Sequence, residues 1–399
     1  MSTAEFHIER FLPAVVDLRH RLHQVPELGY EELKTAAEIR RELDRLGIRY
    51  VAGVDGAPTA TVAWIGDVNK PCVALRADID ALPIEERTGL PYASQHRGRM
   101  HACGHDGHSA GLVGAAAVLN EMAERLPVCA KLIWQPAEEG GAGAARLIDA
   151  GVLDGRIGPT VKAIFGLHGW PGMKVGVLAT KPGAMLASMD TFTITFHGQG
   201  CHGAYPHLGR DPLVAAAEAV VSLQLVVSRD LDPTDPAVVT VGQFIAGTAV
   251  NIIPNQASFS GTARAIDEDV RRKIRESIER RSAGIAAAGN CRAEVQWIEG
   301  YPPVINDPDL AEYVAAVARS VLGPEHFLPV GKPSMGAEDF SYFLEKVPGC
   351  FFLVGVEPAN CTAYPALHTD QYDFTDGALA VAMRLFVELV MRFADRARQ

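Results

Sequence analysis

Residues 72–80 read C-V-A-L-R-A-D-I-D. The apolar run at 72–77, closed by aspartates, has the length and composition of a buried strand that ends in polar chemistry. Similar short runs at 61–65, 131–134 and 163–167 alternate with helical stretches, the longest following His105 as S-A-G-L-V-G-A-A-A-V-L-N-E-M-A. Two amphipathic segments, near 5–23 and 31–46, open the chain, with V-P-E-L-G-Y as a turn between them. This alternation predicts an α/β domain, a sheet with helices on both faces. Asp78, Glu138, Glu139 and His168 each follow an apolar run, and in open α/β sheets ligands bind at the carboxyl ends of strands. Three separate segments thus deliver polar side chains to one edge.

Between about 186 and 299 the texture changes. T-F-T-I-T-F-H and V-V-T-V-G-Q-F alternate with period two, S-F-S-G-T-A-R is a third candidate strand, and helical segments lie near 211–228 and 267–288. That pattern predicts an antiparallel sheet with helices on one face, inserted into the first domain. From about 300 the α/β texture resumes, with helices near 308–322 and 374–395 and the run C-F-F-L-V-G-V as a strand. The expected domains are therefore 1–185 with 300–399, a discontinuous mixed-sheet unit, and 186–299, an inserted α+β unit. A length of 399 residues agrees with two cores rather than one.

Composition narrows the class. Hydrophobic residues make up 48% and charged residues 21%, as in an ordinary globular protein. A net charge of −11 argues against nucleic acid or another polyanion as partner, because phosphate wants clustered Lys and Arg. No apolar run reaches the roughly 18 residues of a membrane span, and M-S-T-A-E-F-H-I-E-R lacks the features of a signal peptide. The expectation is a cytoplasmic protein with no membrane partner. Its seven cysteines are scattered without framework spacing, which speaks against a disulfide scaffold.

The chemistry concentrates at residues 100–108, M-H-A-C-G-H-D-G-H, where three histidines, a cysteine and an aspartate surround two glycines. Glu138 and Glu139 follow in Q-P-A-E-E-G-G, His168 in G-L-H-G-W-P, and His368 near the end. A lone histidine is usually a hydrogen-bonded core residue; the whole set points to a hydrolytic site with one or two transition metals. Cys103 and His105, two apart, can turn toward one point, and a thiolate there can bridge two cations. The competing reading is a Cys-His nucleophilic pair, which leaves the glutamates and remote histidines without a task. In a turn the adjacent glutamates can divide labour, one binding metal and the other acting as general base toward water. Their bland reading is a solvated pair at a helix start. Asp78 could orient a ligating histidine and Asp80 could cap the next turn; spacing does not separate these roles. In G-C-H-G-A-Y-P-H, His202 could polarise a carbonyl or stabilise an oxyanion, while His207 could equally anchor its loop.

Together, R-A-D-I-D-A-L-P, M-H-A-C-G-H-D-G-H, Q-P-A-E-E-G-G-A-G, G-L-H-G-W-P, G-C-H-G-A-Y-P-H, N-I-I-P, G-T-A-R and G-A-E-D-F resemble the amidohydrolases that include hippurate hydrolase and the indole-acetyl-amino-acid hydrolases. These are a branch of the aminoacylase and carboxypeptidase superfamily of dinuclear metallopeptidases. The motifs run in order from about His23 to Phe374, nearly the whole chain.

The resemblance implies two divalent ions (Zn, Mn, Co or Ni) held by Cys103, His105, Glu139, His168 and His368, with Cys103 between them. It implies Glu138 as general base and His202 as the oxyanion group, often lent by a partner subunit. It further implies Asn251 and Arg264 at the substrate carboxylate, positions that could also be structural. Relatives outside the branch carry H-x-D where this chain has Arg76-Ala77-Asp78, so a metal ligand is missing there and Asp78 is left to orient others. Cys201 stands where relatives usually carry glycine. The implied reaction is amide hydrolysis of an N-acyl amino acid to a carboxylic acid and a free amino acid. Rivals are a dipeptidase or carboxypeptidase, a thiol hydrolase using Cys103, and a binding protein that does no chemistry. The inserted unit is expected to act as a lid and to pair through the edge of its sheet in a homodimer or a dimer of dimers.

Overall fold

A computed structural model of the chain describes residues 3–396. The chain divides into two compact units, one of Met1–Gly183, Ile305–Gly331 and Tyr342–Gln399, the other of Ala184–Val304 and Lys332–Ser341. The sequence texture places 332–341 in the first unit, whereas the structure groups it with the second. This stretch, K-P-S-M-G-A-E-D-F-S, has neither a strand nor a helical period to reveal its allegiance. Backbone bonds of Ala187 and Ser334 to each other's stretch attach it to the second unit, Ala187 N donating to Ser334 O at 3.0 Å and Ser334 N to Met185 O at 2.9 Å.

The first unit is built on an eight-stranded mixed sheet. Its order is Tyr50–Val54, Ala57–Ile65, Cys129–Gln135, Cys72–Asp78, Val161–Lys174, Gly349–Glu357, Leu178–Thr180, Phe327–Pro329. Cys72–Asp78 lies parallel to both of its neighbours, Cys129–Gln135 on one side and Val161–Lys174 on the other. Every residue of Cys72–Asp78 and of Cys129–Gln135 is buried, as expected of strands covered on both faces. Buried charges on these strands are paired. Arg76 donates to Gln135 Oε1 (2.8 Å) and Asp78 Oδ2 (2.7 Å), and Lys131 donates to the Val152 and Ile157 carbonyls, each at 2.6 Å.

From Cys72–Asp78 the chain runs through the helix His105–Glu121 to Cys129–Gln135 on one side, and later to Val161–Lys174 on the other. The carboxyl end of Cys72–Asp78 is therefore the switch point of the sheet, where side chains from both halves can meet. His105–Glu121 packs with Thr3–Gln24 and Gly377–Met391, and Ala110, Leu112, Leu379 and Phe386 are among the buried side chains of this core. One expectation needs correcting. His168 does not follow the end of its strand; Val161–Lys174 continues past it because Gly349–Glu357 still pairs with it, His168 opposite Leu353.

The second unit is a four-stranded antiparallel sheet in the order Ala237–Ala246, Gln256–Ala265, Asp190–His197, Arg292–Ile298. The helices Pro212–Leu225 and Glu268–Ala288 pack on it around Phe192, Ile194, Phe196 and Phe259. Asp190–His197 is a central strand, and Ala237–Ala246 lies at an edge of the sheet. Among the described residues one stretch, Pro212–Asp230, does match a membrane span in length and apolarity, against the sequence expectation. Its Ala215, Ala216, Ala219 and Leu223 are buried in this unit's own core.

Candidate metal centre

The loop before His105 ends in Gly104, whose φ of 88° lies in the left-handed region, so that the chain turns sharply from Cys103 into the helix. A Cβ at Gly107, one residue beyond Asp106, would overlap the Phe374 ring. The glycines of C-G-H-D-G-H thus let the first helical turn sit directly on Tyr372 and Phe374, both fully buried. Asp106 anchors that turn from below. Its Oδ2 accepts from Arg19 Nε (2.8 Å) and from His23 Nδ1 (2.9 Å), and Arg19 reaches on to Asp373 and Asp376. Although burial opposes it, Asp106 raises His23 to about 9.

Cys103 is the hub. Its Sγ lies 3.3 Å from His168 Nε2 and 3.3 Å from His368 Nε2, and His368 Nε2 is 3.1 Å from Glu139 Oε1. Donor atoms of Cys103, His105 and His168 lie within 4.8 Å of one another, as do those of Cys103, Glu139 and His368, and those of His105, Glu138 and Glu139. The rings are turned by their outer nitrogens. His168 Nδ1 donates to Gly169 O (2.7 Å) and His105 Nδ1 to Asp80 O (2.9 Å), which leaves each Nε2 facing inward. His105 Nε2 is buried with no hydrogen-bond partner. His368 adopts a left-handed φ of 62°, held by its N–H on Ala102 O at 2.9 Å.

The electrostatics ask for cations. Burial, then Glu139, Glu138 and Asp78, push the Cys103 thiol well above its ordinary value. Against burial, Asp78 and Asp80 lift His105 to about 10. Burial and His108 drive His168 far down, so its ring is neutral with a lone pair toward Sγ. Despite burial, His368 and His105 hold Glu139 below the usual carboxylate range. A thiol, imidazoles and carboxylates whose donor atoms lie this close together fit two divalent transition-metal ions.

Asp78 plays a different part from the one expected. Its Oδ1 accepts from His108 Nδ1 at 2.6 Å and its Oδ2 from Arg76, while His105 Nε2 stays 3.8 Å away. His108 in turn accepts the Gly169 N–H at Nε2 (2.8 Å), so Asp78 steadies the strand that carries His168. The residue that orients the His105 ring is Asp80, whose Oδ2 also accepts the Glu139 N–H at 2.9 Å. The reason is geometric. The strand ends at Asp78, and beyond it the backbone turns Asp80 toward the loop. The sequence signal for His108 was its i, i+3 spacing from His105, which places both on one helix face.

The remaining candidates lie in the second unit. His202 is exposed on a two-residue strand paired with Ile252–Ile253, and Gly203 N donates to Asn251 O at 2.8 Å. His202 Nδ1 accepts the Ala204 N–H (3.1 Å), leaving Nε2 as the donor. Cys201 Sγ donates to Tyr205 O at 3.5 Å, and His207 is exposed on the Pro206–Leu208 turn. Arg264 Nη1 donates to the Met335 carbonyl at 2.9 Å.

Residues 74–392 match the Peptidase family M20/M25/M40. The chain is 40% identical to N-acetyl-L-cysteine deacetylase of Bacillus subtilis, over 90% of this chain and 84% of that protein. It is 38% identical to IAA-amino acid hydrolase ILR1-like 4 of Arabidopsis thaliana, over 96% and 86%. The crystal structure of the Bacillus subtilis YXEP protein, described as a dinuclear metal binding peptidase from the M20 family, superposes with a TM-score of 0.84 at 35% identity, covering 97% of this chain and 99% of that one. The chain belongs to peptidase family M20/M25/M40.

Proposed function

We propose that the protein is a metal-dependent amidohydrolase that cleaves the amide bond of an N-acyl amino acid, releasing a carboxylic acid and a free amino acid. The observation that carries this reading is the buried Glu138 beside a cluster that already has Cys103, His105, Glu139, His168 and His368 as donors. A binding site needs no further carboxylate beyond these five donors; a hydrolase needs a base. The names of the two similar proteins, a deacetylase of N-acetyl-L-cysteine and a hydrolase of IAA-amino acids, support the same substrate class.

In this reading the five donors hold two divalent ions, whose Lewis acidity polarises the amide carbonyl and makes water a nucleophile near neutral pH. Glu138 takes a proton from water as its oxygen attacks the carbonyl carbon, then delivers that proton to the nitrogen as the C–N bond breaks. His202 donates Nε2–H to the developing oxyanion. Asn251 and Arg264 meet the substrate carboxylate, Arg264 with donors beyond the one on Met335.

The reading includes a homodimer formed by the second unit. Support comes from its edge strand Ala237–Ala246, with Phe244 and Ile245 exposed, and from Val214 and Val221 exposed on the neighbouring helix. Seven free thiols suit a cytoplasmic setting. The test is hydrolysis of N-acetyl, N-benzoyl and N-indole-acetyl amino acids by stripped protein with metal added back. Undiminished activity after thorough metal removal overturns the mechanism. Mixing a His202→Ala chain with a Glu138→Gln chain tests sharing of the site, since recovered activity requires His202 to act across subunits.

A further inference from the structure

The turn at residues 26–32, P-E-L-G-Y-E-E, has no part in the reaction as described, yet it lies directly under the Glu138–Glu139 turn. Glu32 is its most unusual member. It occupies the N-cap of the helix Leu33–Arg45 but makes no side-chain cap bond. The helix is capped by Glu27 instead, whose Oε2 accepts from Lys34 N (2.8 Å) and Thr35 N (3.0 Å). The Glu32 side chain turns inward and is fully buried. There Oε2 accepts from Thr59 Oγ1 at 2.7 Å and Oε1 accepts the Ala137 N–H at 2.9 Å.

Ala137 immediately precedes Glu138 and has a φ of 54°, a left-handed conformation that an alanine adopts only when its surroundings impose it. The neighbours supply that constraint. A Cβ at Gly29 would come within 3.0 Å of Ala137 Cβ, so the turn approaches as closely as glycine allows. Tyr30, itself at φ 66°, donates its hydroxyl to Gly141 O at 2.7 Å on the far side of the glutamate pair. With Asp80 accepting the Glu139 N–H, the turn is held at three points.

We propose that Glu32 is a positioning residue: by accepting the Ala137 N–H it holds the left-handed kink that presents Glu138 and Glu139 to the metal centre. The inference rests on the roles given above to those two glutamates. Burial raises the Glu32 carboxyl to about 7, which shows that the fold keeps an acidic group here at a cost. Thr59, also buried, is its second anchor.

The experiment compares Glu32→Leu, Glu32→Gln, Thr59→Val and Glu27→Gln in the full chain, with thermal unfolding recorded for each. Two readouts are taken: release of Zn²⁺ to a chromogenic chelator, and kcat and KM on an N-acetyl amino acid. Glu32→Leu should speed zinc release and lower kcat by about tenfold or more, with KM changed by no more than about twofold. Glu32→Gln keeps an acceptor for the Ala137 N–H and should restore both to within about threefold of wild type. Thr59→Val should fall between, and it carries the test if Glu32→Leu does not fold. Glu27→Gln, which weakens the same turn through the helix cap, should leave zinc release and kcat near wild type at a comparable loss of thermal stability. Unchanged zinc release in Glu32→Leu, or an equal effect in Glu27→Gln, overturns the proposal. If wild type fails to hydrolyse N-acyl amino acids, the functional reading falls while zinc release still decides the clamp.

Discussion

Replacing Glu32 by glutamine separates the charge of this buried group from its shape. Burial is the largest influence on its carboxyl and raises it from 4.5 to about 7, with the Thr59 hydrogen bond opposing. Between those two values the folded chain keeps a proton that the unfolded chain has released. Stability must therefore fall as pH rises through this window. At about 1.36 kcal/mol per pH unit the difference amounts to about 3 kcal/mol, fully present below about pH 4.5 and lost above about pH 7. Glutamine cannot ionise, so Glu32→Gln escapes the loss. The assay is urea unfolding of metal-free wild type and variant at matched pH values, metal-free because cation binding has its own pH dependence. Relative to wild type, the variant should gain up to about 3 kcal/mol between about pH 5 and pH 8. A stability difference that stays constant across that range would refute the reasoning.

Glu138→Gln should retain both metal ions yet lose about 10²-fold or more in kcat, read by metal analysis and steady-state kinetics on one preparation. Asp80→Ala releases the His105 ring and the Glu139 backbone together and should weaken metal binding by about 10- to 100-fold in chelator competition. Gly107→Ala forces a methyl group into the Phe374 ring and should destabilise the first unit by about 1–3 kcal/mol in denaturant unfolding, through overpacking.

Much of the frame was legible because it rests on periodicity. The runs at 61–65, 72–77, 131–134 and 163–167 became strands of one sheet, and the helix after His105 begins where the glycines allow it. The meeting of residues 100–108 and 138–139 was legible too, since strand ends in such sheets converge, whereas His168 joins them from within a strand that runs on past it. What escaped depends on backbone direction after an element ends. Asp78 and Asp80 look equivalent in R-A-D-I-D, but only the turn of the chain decides that Asp80 faces His105 and Asp78 faces His108. Glu32 was hidden because an acidic residue before a helix reads as a cap, and its inward rotation is a tertiary fact. Residues 332–341 carry no period, so their membership of the second unit is set by tertiary bonds, the backbone bonds to Met185 and Ala187 and the Arg264 bond to the Met335 carbonyl.

The most direct test of the central claim is a titration of Zn²⁺ or Mn²⁺ into stripped enzyme, with bound metal and free amino acid released from an N-acyl amino acid measured in the same samples. The account predicts no turnover without metal and full turnover at about two ions bound per chain. Turnover by the stripped enzyme, or a metal-saturated enzyme that cleaves none of the N-acyl amino acids, would contradict it.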